Sequence, residues 1–269
     1  MLSYLSYSLD DNVRYKASTG GFCKEFIRFV LENKIVDKAV VTVLGEGSDS
    51  LVSKTIITSD VERILSTKSN TIYDKTNPLS VLSKMSSKES YIFVGLPCHI
   101  LPAKLYCKKR NIKIFTISLF CNHVSNNKYY KSVLDKIGLT KEDVKHFEYR
   151  GSGWPGSVRV VSNDNNEIKI DHVKCWDYYS NEYFEMSYKC KKCDKFISLD
   201  ADICVGDAWI PRIIDKDNKG TCIVIAINTV SDKLIHYCAD NDYIYLEKIN
   251  NVEVDRINKS MLDYKLKRK

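Results

Sequence analysis

The sequence predicts an α/β protein: a mixed, partly parallel sheet core with flanking helices and a smaller β-rich, cysteine-bearing C-terminal part. Three observations lead there. Helical and strand-like periodicities alternate up to about residue 137. Tyr91–Val94, a helical stretch to about Arg110 and Ile112–Leu119 form a strand–helix–strand run, the pattern of a βαβ unit with parallel pairing. Beyond Thr140 short β-like pieces dominate. The boundary, near residues 138–145, is soft. Residues 1–140 read as the α/β part and 141–269 as the β-rich part, packed as one unit with the first.

Taken in order, residues 1–18 read as irregular, with Asp10-Asp11-Asn12 as a turn. Thr19 caps a helix to about Lys34, whose Phe22, Phe26, Phe29 and Val30 recur at helical spacing. Lys38–Leu44 is a β-branched strand broken by Gly45-Glu46-Gly47, and Leu51–Thr58 is a second strand. Ser59 with Glu62 makes a capping-box pattern, and Asn77-Pro78 opens a helix to about Ser87. Residues 127–137 are helical. Val144–Tyr149, Ser157–Ser162 and Glu167–His172 read as strands ahead of a cysteine-rich segment at 173–203. Strands at Ile203–Ala208 and Thr221–Asn228, a helix near Asp232–Ala239 and a strand near Tyr243–Leu246 complete the pattern.

A chain of 269 residues buries a core without disulfide staples, so its ten cysteines exceed what stability needs. The start, Met1-Leu2-Ser3-Tyr4, has neither a basic region nor an apolar run, and no stretch approaches the length of a membrane helix. The expectation is a cytoplasmic protein with reduced thiols and no membrane partner. Net charge is +7, much of it from Lys265-Leu266-Lys267-Arg268-Lys269, which reads as a solvated tail. No nucleic-acid motif accompanies it, so no nucleic-acid partner is expected.

Cys190-Lys191-Lys192-Cys193 is the sharpest local motif: two intervening residues let both sulfurs reach one metal or cluster. Spacing alone leaves it as half a zinc site, half a cluster site or a redox dithiol, and the second pair of a zinc ribbon is missing. Cys98 follows one strand end and Cys121 another. If those strands are parallel neighbours, both thiols emerge at the carboxyl edge of the sheet, where open α/β sheets bind ligands. Cys98, Cys121, Cys190 and Cys193 could then surround one [4Fe–4S] cube, with Lys189, Lys191 and Lys192 favouring thiolate. Inert packing and a zinc knuckle remain open on spacing. Cys23, Cys107, Cys175, Cys222 and Cys238 read as packing residues, and Cys204 as a spare ligand.

Ala17-Ser18-Thr19-Gly20-Gly21 leads straight into a helix, where backbone N–H groups suit an anion. Arg150-Gly151-Ser152-Gly153-Trp154-Pro155-Gly156 joins glycines to a cation and an aromatic and is either a ring-binding or a hairpin-like loop. Gly206 inside a strand pattern marks a close approach by backbone or ligand. Neither G-x-G-x-x-G nor a P-loop is present.

Together these pieces resemble the beta-subunit family of coenzyme F420 hydrogenases and dehydrogenases, which includes 7-hydroxymethyl chlorophyll a reductase. The matching residues are Ala17-Ser18-Thr19-Gly20-Gly21, Gly95-Leu96-Pro97-Cys98, Leu119-Phe120-Cys121, Tyr149-Arg150-Gly151 with Gly153-Trp154, Cys190-Lys191-Lys192-Cys193, Ala201-Asp202-Ile203 with Gly206-Asp207, and Lys219-Gly220-Thr221. The resemblance implies an FAD-binding fold in the 1–140 part and a [4Fe–4S] cluster on Cys98, Cys121, Cys190 and Cys193. It also implies flavin contacts from Ser18, Thr19, Gly20 and Gly21, with Asn122, Arg150 and Gly151 beside them. His123 and His99 each adjoin an implied ligand, and His123 is the candidate proton donor. The implied activity is oxidoreduction between the cluster, FAD and an organic hydride donor or acceptor, coenzyme F420 among them. Many relatives carry a ferredoxin-like segment near the N-terminus; here no cysteine precedes Cys23. The expected partners are therefore ferredoxin or another electron-transfer protein and a small-molecule redox substrate, with oligomerisation allowed. The competing reading is a zinc-stapled, non-catalytic module that docks a partner.

Overall fold

In the structure, a computed structural model that describes residues 1–45, 49–125, 129–172, 174, 186 and 188–267, the β-branched runs become strands of one sheet. Its strands are β1 (Leu2–Ser8), β2 (Lys38–Leu44), β3 (Ser53–Thr58), β4 (Ser90–Gly95), β5 (Lys113–Leu119), β9 (Ile203–Asp207), β10 (Cys222–Ala226) and β11 (Ile244–Ile249). They lie in the order β11-β1-β10-β9-β5-β4-β2-β3. β2, β4, β5 and β9 run parallel, and the outer strands pair antiparallel. β6 (Val144–Gly151), β7 (Ser157–Ser162) and β8 (Glu167–Asp171) form a separate antiparallel sheet.

Helices cover both faces of the large sheet, which is why its central strands read as near-continuous apolar runs. On one face α2 (Phe22–Glu32) and α8 (Thr229–Asp240) bury Phe22, Phe26, Phe29, Ile235 and Cys238 against Val41, Ile117 and Val224. On the other, α4 (Pro97–Lys109), the 3-10 helix Pro78–Lys84 and α9 (Asn251–Lys267) bury Ile100, Cys107, Val81 and Val254 against Val40, Phe93 and Ile223. The small sheet packs Phe147, Val158 and Val160 against Val133 and Leu134 of α5 (Tyr129–Ile137). One further short helix, α7 (Pro211–Ile214), lies between β9 and β10.

Several expectations are corrected. Residues 1–18 are not irregular: β1 sits between β10 and β11, and α1 (Asp11–Lys16) follows it, capped by Asp10. Serines hid the strand, because Ser3, Ser6 and Ser8 are buried, and Ser6 Oγ donates to the carbonyl of Tyr245 at 2.6 Å. Thr19 does not cap α2; Gly21 does, at φ 79°, and leaves the Thr19 hydroxyl to the site below. The short helix α3 (Val61–Leu65) is capped by Asp60 rather than Ser59. The run from Asn77 forms a 3-10 helix. The start of the basic tail is not simply solvated: residues 265–267 continue α9, and Lys265 is buried.

The boundary near 138–145 falls between α5 and β6, yet β9–β11 return to the large sheet. Cys175, residues Glu46 and Gly47 of the glycine break, the expected helix start at 127–128 and most of 173–187 lie outside the described residues. Among the described residues no helix is long and apolar enough to cross a membrane.

Candidate functional site

The parallel strands aim their carboxyl ends at one rim. β4 and β5 pair in register to Gly95 and Ser118, and β5 pairs with β9 through Leu119 and Val205. Beyond these ends the chain reaches Cys98 in the first turn of α4 and Cys121 just past β5. Gly206 lets the Phe120 ring lie on β9, since a Cβ there would stand 1.9 Å from Phe120 Cδ2. The close approach read from that glycine is thus made by a side chain. Cys121 N–H donates to the Phe196 carbonyl at 3.0 Å, which draws in the segment after the short helix α6 (Tyr188–Lys191). α6 itself carries Cys190, and the segment after it carries Cys193.

The four thiols feel one another. Burial first, then Cys193 and Cys190, raises the pKa of Cys98. Burial pushes Cys121 up to about 12, with Cys190, Cys98 and Cys193 adding to the rise. Both shifts are opposed by Lys265, a residue that no local pattern assigns to this rim. Its Nζ donates to the carbonyls of Lys195 at 2.6 Å and Cys121 at 3.1 Å and lies 3.5 Å from Cys193 Sγ. The tail of α9 is thereby pinned over the thiol rim. Among the described residues no three or more His, Cys, Asp or Glu side chains converge to hold a single metal ion. Cys204 is apart from the four thiols, buried in the core with its Sγ donating to Ser198 O at 3.2 Å.

A cavity of about 640 Å³ opens beside this rim. That is within the roughly 300–1,000 Å³ of ligand sites. Ser18, Thr19, Gly21, Asn122, His123 and Arg150 line it, as does Cys121. Gly20 and Gly151 do not. Gly20, at φ 55°, packs on Gly220, where an added Cβ would stand 2.6 Å from the Gly20 nitrogen. Gly151 abuts the Lys16 carbonyl. Both glycines shape the walls through backbone contact.

The cavity wall also carries a buried polar chain. Thr19 Oγ1 donates to Asp207 Oδ1 at 2.5 Å, and Arg150 Nη1 donates to Asp207 Oδ2 at 2.6 Å. Arg150 Nε donates to the Pro155 carbonyl at 2.9 Å, and the guanidinium lies over the rings of Trp154 and Trp209. Burial opposes the charge of Arg150, but Asp207 and Tyr73 together outweigh it and the group stays protonated. Its Nη2 has no hydrogen-bond partner among the described residues, although the side chain is only 3% exposed. An unpaired buried donor of this kind is costly and suits an anionic or acceptor ligand. Ser18 differs: its hydroxyl donates to Arg150 O at 3.2 Å and accepts from Thr71 N–H at 2.8 Å.

Sequence reasoning missed other wall residues. Lys24, buried on α2, donates to Ser66 O at 2.9 Å and Leu65 O at 3.2 Å, and burial lowers its pKa to about 7. Cys23 and Cys222, read as packing residues, also line the cavity, and Cys222 Sγ donates to Thr19 O at 2.9 Å. His99 accepts from the Leu96 N–H at Nδ1, 3.2 Å away, and burial lowers its pKa to about 4, so it is neutral with its proton on Nε2. The i+4 step from Thr19-Gly20 to Lys24 was the signal available, and it resembles any helix opening.

Residues 88–252 match the family model for the C terminus of the coenzyme F420 hydrogenase/dehydrogenase beta subunit, and residues 3–83 match the model for its N-terminal part. The chain belongs to this family. A coenzyme F420-dependent sulfite reductase of Methanocaldococcus jannaschii is 26% identical over 232 residues, 77% of this chain. The chain spans 34% of that relative's length. Among solved structures, a chain of the F420-reducing [NiFe] hydrogenase complex from Methanosarcina barkeri shares the fold, with a TM-score of 0.72 at 20% identity over 100% of this chain and 89% of that one. The two family models meet between residues 83 and 88, just before β4, so the cavity draws walls from both.

Proposed function

We propose that the chain is an iron–sulfur flavoprotein oxidoreductase, with a [4Fe–4S] cluster on Cys98, Cys121, Cys190 and Cys193 and FAD in the adjoining cavity. One observation carries the reading: Cys98 and Cys121, from two separate segments, both feel Cys190 and Cys193 from a third, and Cys121 lines a cavity that also holds a buried arginine with an unpaired N–H. When bound, a flavin supplies hydride or single-electron chemistry and a cluster moves single electrons.

The chain's own residues then have definite tasks. Arg150 Nη2 takes an acceptor atom of the flavin, and Asp207 and Thr19 hold the guanidinium in place. The Gly20–Gly220 contact lets the loop ahead of α2 approach the ligand as bare backbone. Phe120 and Trp209 give the cavity apolar walls that exclude water. His123 lines the cavity one residue past Asn122 and is the candidate group for moving a proton. Lys265 sets a positive charge against the thiol rim, which favours an anionic cluster there. Coenzyme F420, named by the family, is the first organic substrate to test.

The zinc-stapled alternative needs thiolates converging on a tetrahedron about 2.3 Å from one ion. The described thiols do not form such a group. Anaerobically purified or reconstituted chain should contain about four irons with matching sulfide, as a four-cysteine cubane requires. It should also release FAD on denaturation and bleach on dithionite addition. Colourless protein with one zinc and no flavin after reconstitution would overturn the proposal.

A further inference from the structure

Helix α4 shows solvent a face that a surface helix should not. Cys98, Leu101, Pro102 and Leu105 are exposed along one side of it, at the three- and four-residue steps that share a helical face. Its opposite side buries Ile100, Ala103 and Cys107 in the core, so the helix is apolar on both sides. Leu105 is 58% exposed. Lys104 Nζ donates to Asp200 O at 2.9 Å, which brings Leu199, 63% exposed, alongside. Beyond Cys98, at the thiol rim, Tyr188 is 69% exposed and Lys192 Nζ sits 4.9 Å over its ring.

Charge surrounds this patch unevenly. Lys108, Lys109 and Arg110 stand at its far end and Lys189, Lys191 and Lys192 at the thiol end, all exposed. Among the described residues Asp194, Asp200 and, near the thiol end, Asp263 are exposed acids, and Asp202 is paired with Lys104. An apolar centre inside a basic rim is the complement of a partner with an apolar spot inside an acidic rim. The stripe also begins at Cys98, the one exposed member of the four thiols.

We infer that the exposed face of α4, centred on Leu101 and Leu105, is the docking surface for an acidic one-electron carrier protein. The inference rests on the cluster assignment above. A carrier seated on the stripe brings its own redox centre to the Cys98 end. One electron is lost by the carrier and gained by this chain's cofactor, or the reverse, and no bond forms or breaks.

The test uses the loaded chain with an acidic two-cluster ferredoxin as probe. Leu105→Glu, alone and with Leu101→Glu, should weaken ferredoxin binding in biolayer interferometry at least tenfold, about 1.4 kcal/mol. Lys108→Glu with Lys109→Glu should weaken it less and flatten its dependence on salt. Iron content and reduction by dithionite-reduced methyl viologen, which needs no docking surface, should match the parent chain. Ferredoxin binding unchanged in Leu105→Glu would overturn the inference. So would a dimer in sedimentation that Leu105→Glu breaks, since a second copy would then own the stripe. A chain that loads no iron yet still binds ferredoxin through Leu105 would instead overturn the cluster assignment and leave the surface standing.

Discussion

The two ends of the cavity are built on opposite plans. At the Arg150 end the polar groups are already bonded: Thr19 to Asp207, Asp207 to Arg150, Arg150 to Pro155, with Nη2 left over. At the thiol end burial and the neighbouring thiols raise the resistance of Cys98 and Cys121 to ionisation, and Lys265, bonded to nearby backbone carbonyls, opposes that rise. One end is preorganised by the protein, so it positions a ligand at little cost in ordering. The other gains its cohesion only when a strongly cationic core draws the sulfurs together.

If that contrast is right, the thiol end should fail completely and locally. Cys193→Ala should drop iron from about four per chain to under one, because a cubane needs all four thiolates. FAD retention, read by fluorescence after denaturation, should change little. Loss of both cofactors together would show that the ends are not independent. Because burial holds Cys121 near 12 and raises Cys98, these two metal-free thiols are protonated at neutral pH and iron loading must release their protons. Cluster assembly followed by visible absorbance should therefore speed up as pH is raised.

The arginine end should fail as a fold. Asp207→Ala strands a buried guanidinium without its carboxylate, which costs about 3–5 kcal/mol. Urea unfolding should show that loss in the flavin-free protein. A change below about 1 kcal/mol would mean the pair does not stabilise the apo state. Gly206→Ala tests the joint between the ends: its Cβ collides with the Phe120 ring beside Cys121. Overpacking of this kind costs about 1–3 kcal/mol, and the double variant with Phe120→Ala should be less than additive.

Lys24 gives a sign to check. Burial lowers its pKa from 10.5 to about 7 in the folded chain. Below about 7 it is protonated in both states, and its burial penalty is constant. Between about 7 and 10.5 the unfolded chain binds more protons, so stability rises with pH by at most about 1.4 kcal/mol per unit. Above that window the penalty is gone. Lys24→Met should remove this slope in denaturant curves taken across the window.

Legibility was uneven in the same way. Strands β2, β4, β5 and β10 and helices α2 and α8 were visible because each carries its own period of burial. The Cys190–Cys193 pair and the strand-end cysteines were visible because spacing and strand termini are local properties. β1 was not, since its serines fill close-packed space between β10 and β11, more than two hundred residues away. Lys265 read as one more charge in a solvated tail, and Lys24 as one more helix residue.

What the sequence determined alone was the set of elements and the identity of the reactive groups, because periodicity, capping and thiol chemistry act over a few residues. What the tertiary structure decided was adjacency: that β4, β5 and β9 share a rim, that Arg150 faces Asp207, and that Lys265 reaches Cys121. The two side-chain pairings join residues 57 and 144 positions apart. Closing such loops costs entropy that no local pattern encodes, and only the packing of the whole sheet and its helices recovers it.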